Sequence, residues 1–519
     1  VRETYDVVVI GGGHNGLSAA LELARAGFSV CLTETRERVG GCATTTEPLL
    51  PHFRHSPHAN TFIFADVLPR GMRPADLDVN VIAPEAQLGV AFADGRPPVI
   101  LHRPDLLDRT AASLGAYSRA DATKYVELKR RSTALGDVVR RGLYRDPDPG
   151  WFREQRQAVL RAFGPFCDEA LLGRRTARHV IDEIIATSEI RALLYALAME
   201  TGVGLNDLGS DIAFLGFSLW IAGRWRVPVG GMQAYSDALL DAADNAGVQT
   251  HLSTQVQRIL VDGGRATGVR TIGGVEIGAG LAVIAAIPIL DLFDRLLTPD
   301  HISPAEHAEL EAFRRASPSS IGTSAFCLQW EPRYKSGRHD PQIDRCLKTI
   351  IGFDTPSDVV QQMVDLRAGL LPRPAGTVRV HSLWDPSLAP PGQHLAAIDS
   401  ALPATSVLDP GTWQLVQTSF PPALFRAWQS YLVEEHVEAP MTMSLDDTLG
   451  FERRMLMRLG AAQYRTSVDR LYLAGPGVYP GGGVHGACGH NAAGVVIGDH
   501  PRSQPHDRRR RATARRRTL

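Results

Sequence analysis

Residues 5–10 read Tyr-Asp-Val-Val-Val-Ile and run straight into Gly-Gly-Gly-His-Asn-Gly. An unbroken apolar stretch giving way to glycines predicts a buried strand that enters a tight turn. Leu17, Ala20, Leu21 and Ala24 then recur at the i, i+3, i+4, i+7 spacing of one helix face, which predicts a helix over 15–26. Residues 29–34 form a second short apolar run that ends in an acid. Strand, glycine turn, helix and strand in this order open a parallel α/β sheet. Further strands are expected at 254–261, with a hairpin return over 264–269, and at 282–286, 321–330, 376–384 and 471–474. Helical periodicity covers 119–142, 151–163 and 187–201, and follows Val227-Pro-Val-Gly-Gly with Met232, Tyr235, Leu239 and Ala243 on one face. Residues 212–222 make the most apolar helix-like run, with Asp211 or Ser210 as the expected cap.

The opening turn carries chemistry. Gly11, Gly13 and Gly16 fit G-x-G-x-x-G. The first permits the tight turn, the second lets backbone approach a pyrophosphate, and the third lets helix pack on strand. The helix start then offers free N–H groups and a positive dipole end to phosphate. His14 and Asn15 lie inside the turn and are expected to tune cofactor binding. Glu34 stands where a ribose hydroxyl is held and would repel a 2′-phosphate, which leaves NAD or FAD.

The stretch Glu34-Thr-Arg36-Glu-Arg-Val-Gly40-Gly41 resembles the flavin amine oxidase and phytoene desaturase superfamily. The resemblance implies FAD, with Glu34 on the adenosine ribose and Arg36, Gly40 and Gly41 along the rest of the cofactor. Residues 470–494 agree. They contain Gly475-Pro-Gly-Val-Tyr479-Pro-Gly-Gly482-Gly483-Val484-His485 before a further helical run. This is similar to the closing flavin motif of phytoene desaturases, above all of the branch named for pyridine nucleotide-disulfide oxidoreductase domain-containing protein 2. Gly475, Gly482, Gly483 and Val484 are thereby expected at the flavin and ribityl chain, and Val256 at the adenine. Two departures stand out: Tyr479 replaces a frequent histidine, and Cys42 a frequent arginine. The implied fold is α/β, a Rossmann-type FAD-binding domain (1–75, 228–300, 440–500) interleaved with an α+β substrate domain (76–227, 301–439). A disordered Arg-rich tail is expected over 501–519.

Composition sharpens this picture. A chain of 519 residues exceeds one compact core, and 44% hydrophobic with 21% charged residues is ordinary for a globular enzyme. Residues 500–519 hold eight arginines and one aspartate, which reads as a solvated appendage. No nucleic-acid partner is expected. Four lysines against 51 arginines point to a GC-rich bacterial genome. The six cysteines form no Cys-x-x-Cys, which excludes a dithiol reductase mechanism and fits free thiols in a reducing cytoplasm. With a strand expected from residue 5, no signal peptide is expected. The run 212–222 is too short to span a bilayer, so it is expected to line a lipophilic tunnel or else to touch a membrane surface.

Candidate chemistry centres on Pro51-His-Phe-Arg-His-Ser-Pro-His58, the segment that the superfamily sets against the flavin. Hydride removal from carbon leaves cationic character and a proton to be taken up, and His55 or His58 is expected as base or polar contact. Pro51 and Pro57 argue against a helix presenting these histidines to a metal, and no metal is expected. Tyr479 is a third candidate at the substrate. The expected reaction is FAD-dependent desaturation or dehydrogenation of a lipophilic small molecule, a polyene, isoprenoid or natural-product intermediate, by hydride transfer to flavin N5. With no second nucleotide fingerprint, electrons should leave to oxygen, a quinone or another acceptor. An amine oxidase-type reaction, a redox-neutral isomerase or cyclase, and a flavin-bound scaffold of low turnover are the alternatives.

Overall fold

In the computed structural model the expected opening strand spans Glu3–Ile10, the helix His14–Arg25 and the second strand Val30–Thr33. The structure describes residues 3–145, 147, 149–316, 319–404, 407–434, 438–445 and 464–501. The Arg-rich tail from residue 502 lies outside them.

The opening strand is central in a 7-stranded sheet. On one side it pairs in parallel with Val30–Thr33, which pairs in parallel with Gln249–His251. On the other it pairs in parallel with Glu276–Ala285, which also carries Leu471–Leu473 in parallel at Val283–Ala285. An antiparallel extension, Arg265–Thr271 and Val256–Asp262, completes the sheet. Helices cover both faces of the parallel part, so Val7, Val8 and Val9 are all buried regardless of which way they point. The helices His14–Arg25, Met232–Asn245 and Ala487–Asp499 contribute Leu17, Leu21, Leu239, Ala492 and Val496 to this core.

A second 7-stranded sheet runs Thr442–Leu445, Ser319–Leu328, His394–Pro403, Gly376–Arg379, Lys348–Ile351, Ala86–Val90 and Val99–His102. Its pairs are antiparallel apart from Lys348–Ile351 with Ala86–Val90. Helix Pro410–Gln429 packs Phe420, Leu424 and Trp428 on one face, against Phe326 and Ile398. The opposite face meets the loop that carries Leu49, Leu50 and Phe53. A helical layer between residues 107 and 221 packs beside this sheet.

Several elements differ from the sequence reading. The helix expected over 119–142 breaks into Arg119–Ser132, a 3-10 turn at Thr133–Leu135, and Gly136–Leu143. Ser132 and Thr133 both turn their hydroxyls back to the Lys129 carbonyl (2.7 and 3.4 Å), competing with the helical ladder. The apolar run divides into Ser210–Ala213, a π turn at Phe214–Ser218 and Leu219–Ile221. Gly209 takes the cap position in place of either expected residue: Ser210 Oγ accepts from Ala177 N–H (2.8 Å), and Asp211 accepts from Gly173 N–H (2.9 Å) with one oxygen and from Ile212 N–H of the run (2.9 Å) with the other. Its end is held by Lys129, fully buried, whose ammonium donates to the Leu219 and Trp220 carbonyls (2.7 and 2.9 Å). The strand expected at 376–384 stops at Arg379 and turns into a 3-10 segment, His381–Leu383. No described helix is long and apolar enough to cross a membrane.

Candidate FAD and substrate site

The cradle begins where the opening strand ends. Gly11 has φ +100°, a conformation that side chains rarely adopt. A Cβ on Gly16 would stand 1.9 Å from the Gly11 carbonyl oxygen, so only glycine lets the helix start this close to the turn. Glu34, at the end of the second strand, accepts from Gly12 N–H (2.7 Å) through one carboxylate oxygen and from Arg36 N–H (2.9 Å) through the other. Each oxygen keeps acceptor capacity for a ribose hydroxyl.

The paired glycines return onto this turn. Gly40 donates its N–H to the Gly12 carbonyl (2.9 Å) and forms a bridge with Gly13. A Cβ on Gly41 would lie 3.1 Å from the Gly13 Cα. Arg36 reaches the Gly41 carbonyl with its guanidinium (3.4 Å). The segment leading to Val256 joins at the same end, with Ser253 and Thr254 N–H donating to the Arg36 and Glu34 carbonyls (2.9 and 2.8 Å). Gly13, Glu34, Arg36, Gly40, Gly41 and the approach to Val256 thus form one continuous surface.

The closing glycines complete it from the other end of the chain. Ala474 N–H donates to the Ala285 carbonyl (2.9 Å), and Gly475 packs so closely that a Cβ would sit 2.2 Å from the Ile287 carbonyl oxygen. Beyond Val484 the chain bends at Gly486 against Ser18 and enters its last helix. That helix meets the opening turn through Gly489. His14, between the two motifs, has both ring nitrogens buried and completes no hydrogen bond among the described residues. Burial lowers its pKa to about 4, although the Gly483 carbonyl lies near enough to favour the charged form. Among the described residues the Asn15 side-chain oxygen is also buried without a partner, and so is Nε2 of His485. Unpaired polar atoms at a glycine-lined seam are what an extended, polar dinucleotide would satisfy, so these residues fit FAD. Bound there, FAD supplies hydride acceptance at its ring.

The histidine loop lies beside this cradle without regular structure. His55 pairs with Thr46 through two backbone hydrogen bonds (2.9 and 3.0 Å), and Ala59 N–H donates to the Cys42 carbonyl (3.3 Å). His52 is exposed, His55 is buried and His58 is half-buried. No group of three metal-ligating side chains is found among the described residues. The loop is held by a charge pair that lies far away in sequence. Arg379 grips Asp399 with two hydrogen bonds (2.8 and 2.7 Å) and extends to the Ser56 and Pro57 carbonyls (3.3 and 3.4 Å). Thr323 donates to Asp399, and Asn60 does the same from the loop (2.7 and 2.9 Å). Burial alone would raise the Asp399 pKa, but Arg379 and Thr323 hold it below the usual carboxylate range. Burial first and Arg379 second push His55 down to about 3. That setting suits a neutral hydrogen-bonding imidazole and disfavours a resting proton on His55.

Tyr479 is half-buried, with its carbonyl accepting from the Tyr464 hydroxyl (2.8 Å). Burial raises its pKa while Trp151 opposes the rise. Arg379, Asp399 and Gly489 are absent from the candidates that the sequence suggests. A lone charge in each of two apolar strands, Val378-Arg-Val380 and Ala397-Ile-Asp399, was the available signal for the first two.

The chain is similar to known proteins over nearly its whole length. The chain is 23% identical to a limonene dehydrogenase subunit from Castellaniella defragrans over 95% of this chain and 94% of that protein. It is 25% identical to the mouse pyridine nucleotide-disulfide oxidoreductase domain-containing protein 2 over 96% and 94%. Identity to hydroxyneurosporene desaturase of Cereibacter sphaeroides is 26% over 95% and 97%. The model of the FAD dependent oxidoreductase family matches residues 6–317, and the chain is a member of that family, an oxidoreductase with FAD as its cofactor.

Proposed function

We propose that the protein dehydrogenates a largely apolar substrate, a terpenoid or polyene, by delivering a hydride to N5 of FAD. The observation that carries this reading is the wall beside the closing glycines. A Cβ on Gly483 would meet the Phe64 ring at 2.7 Å, and Phe64 stacks on Phe217 of the helical layer (6.1 Å, 22°). Apolar side chains, rather than charges, therefore border the cradle on that side, which favours a hydrocarbon body over an ionic one. Likeness over nearly full length to a limonene dehydrogenase component and to hydroxyneurosporene desaturase supports the same class.

In this reading Gly11, Gly13 and Gly16 hold the pyrophosphate, Glu34 the ribose, and the glycines from 475 to 483 the flavin end. Residues 1–75, 228–300 and 440–500 make up the FAD unit, and 76–227 with 301–439 the substrate unit. As hydride leaves, His58, half-buried and open to exchange, passes the substrate proton to water, while His55 stays neutral and orients. Electrons then pass to oxygen or a quinone. Anaerobic mixing with a panel of monoterpenes and acyclic polyenes should bleach the visible flavin band. If the flavin stays oxidised with all of them and is reduced by primary amines, the reading fails in favour of amine oxidation.

A further inference from the structure

His485 sits at the bend between the closing glycines and the last helix. Its Nδ1 accepts the backbone N–H of Ala487 at 3.0 Å. A neutral imidazole accepting at Nδ1 carries its proton on Nε2. The residue is 1% exposed, and burial, with His14 nearby, lowers its pKa to about 3, so the neutral form is the working one. The Gly482 and Gly481 carbonyls lie near enough to oppose that shift in part. Nε2 is therefore a donor, yet it is buried and completes no hydrogen bond among the described residues. Leaving such a donor unpaired costs about 1–3 kcal/mol.

Its surroundings say what it addresses. A Cβ on Gly483 would lie 3.4 Å from Nε2, so the donor stands against the glycine segment itself. Phe64 closes one side, edge-on at 5.1 Å between ring centroids. His14, from the opening turn, completes the group with two buried nitrogens of its own. One imidazole from each FAD motif thus converges on the same seam. The acceptors of an isoalloxazine ring lie along its pyrimidine side, and its dimethylbenzene side has none. We propose that His485 Nε2–H donates a hydrogen bond to the pyrimidine edge of the flavin and raises its reduction potential. Two-electron reduction places negative charge on that edge, and a fixed donor in a dry site stabilises the reduced form more than the oxidised one. The start of the helix Ala487–Asp499 adds its positive dipole end in the same direction.

The test needs no substrate, so its outcome is independent of the desaturation reading. The midpoint potential of the FAD-loaded protein is measured by dye equilibration, and sulfite serves as a probe of anion stabilisation on the ring. His485→Leu should lower the reduced-to-oxidised ratio at fixed potential about tenfold, a negative shift of about 30 mV for a two-electron couple. It should also weaken the sulfite adduct about tenfold. His485→Gln, which keeps an N–H donor, should recover most of both effects. If His485→Leu does not retain FAD, His485→Met takes its place against His485→Gln. Potentials and sulfite affinities that are the same for the donor-lacking variant and the wild type, or for the donor-lacking and Gln variants, would overturn the proposal.

Discussion

Gly489 lies so close to Asn15 that a Cβ on Gly489 would stand 1.8 Å from the Asn15 carbonyl oxygen. The last helix therefore rests backbone against backbone on the opening turn. Gly489→Ala should displace that helix and lose more than about 3 kcal/mol, the upper range for overpacking. Purified Gly489→Ala protein should carry substoichiometric FAD by absorbance and unfold at lower urea than wild type.

Glu34 supplies two oxygens that order the turn and, in the proposed reading, also receive a ribose. Glu34→Ala should weaken FAD binding about 10- to 100-fold, the loss of charge-assisted hydrogen bonds worth about 1.5–3 kcal/mol. Titration of apoprotein with FAD, followed by flavin fluorescence, reads this directly. An affinity unchanged from wild type would remove Glu34 from the cofactor site.

The Arg379–Asp399 pair is buried, with side-chain exposures of 1% and 15%. Removing one partner strands the other charge, so Arg379→Met alone should cost about 3–5 kcal/mol. Asp399→Leu placed on top should bring stability back toward wild type. Urea denaturation of the two singles and the double gives the coupling energy. A double variant as unstable as the sum of the singles would show that the pair acts independently.

Acid should destabilise the fold already above the usual carboxylate range. His55, His381 and His485 are buried and held neutral to about pH 3 by burial, whereas unfolded histidine takes its proton near 6.5. Between these values the unfolded chain binds more protons than the native one, so stability is full above about pH 6.5 and falls as pH drops. With His14, held neutral to about pH 4, these groups give a slope of about 5 kcal/mol per pH unit near pH 5. Asp399, held low mainly by Arg379 against burial, adds its own loss only below the usual carboxylate range. Urea midpoints measured from pH 7 to 5 test the sign; a flat profile would contradict it.

Among the cysteines, Cys31, Cys327, Cys346 and Cys488 are buried and Cys42 and Cys167 are half-buried. A thiol reagent under native conditions should label two sites quickly and all six only in denaturant. Because Cys42 directly follows Gly41 in the cradle, saturating FAD should slow its labelling while leaving Cys167 unaffected. Equal protection of both would argue against a cofactor over Gly41.

The parts legible from sequence were those with local causes. The Gly11–Gly16 turn, the strand before it and the acid at Glu34 lie within one supersecondary unit, so spacing alone disclosed them. The closing glycines were legible as a strand, a glycine turn and a helix, and their expected place at the flavin only through the family resemblance. The clamp on the histidine loop was not, because Arg379 meets Ser56 only after two strands of the second sheet are in register. The interruption at Phe214–Ser218 was hidden too, since a π turn keeps the helical apolar pattern that the sequence displays. The expected cap was displaced to Gly209: Ser210 bonds Ala177, and Asp211 divides its carboxylate between Gly173 and the Ile212 N–H of the run, a choice that local propensity does not record.

The strand Leu471–Leu473 and the helix after it have one further implication, for the order of events during synthesis. In the proposed reading the opening turn that holds the cofactor is made early, whereas the closing glycines emerge only after the second sheet has been translated. A ribosome-bound chain halted before residue 471 should then fail to trap the vitamin-derived ligand, which would make loading a late, effectively post-translational step that reports on completed assembly.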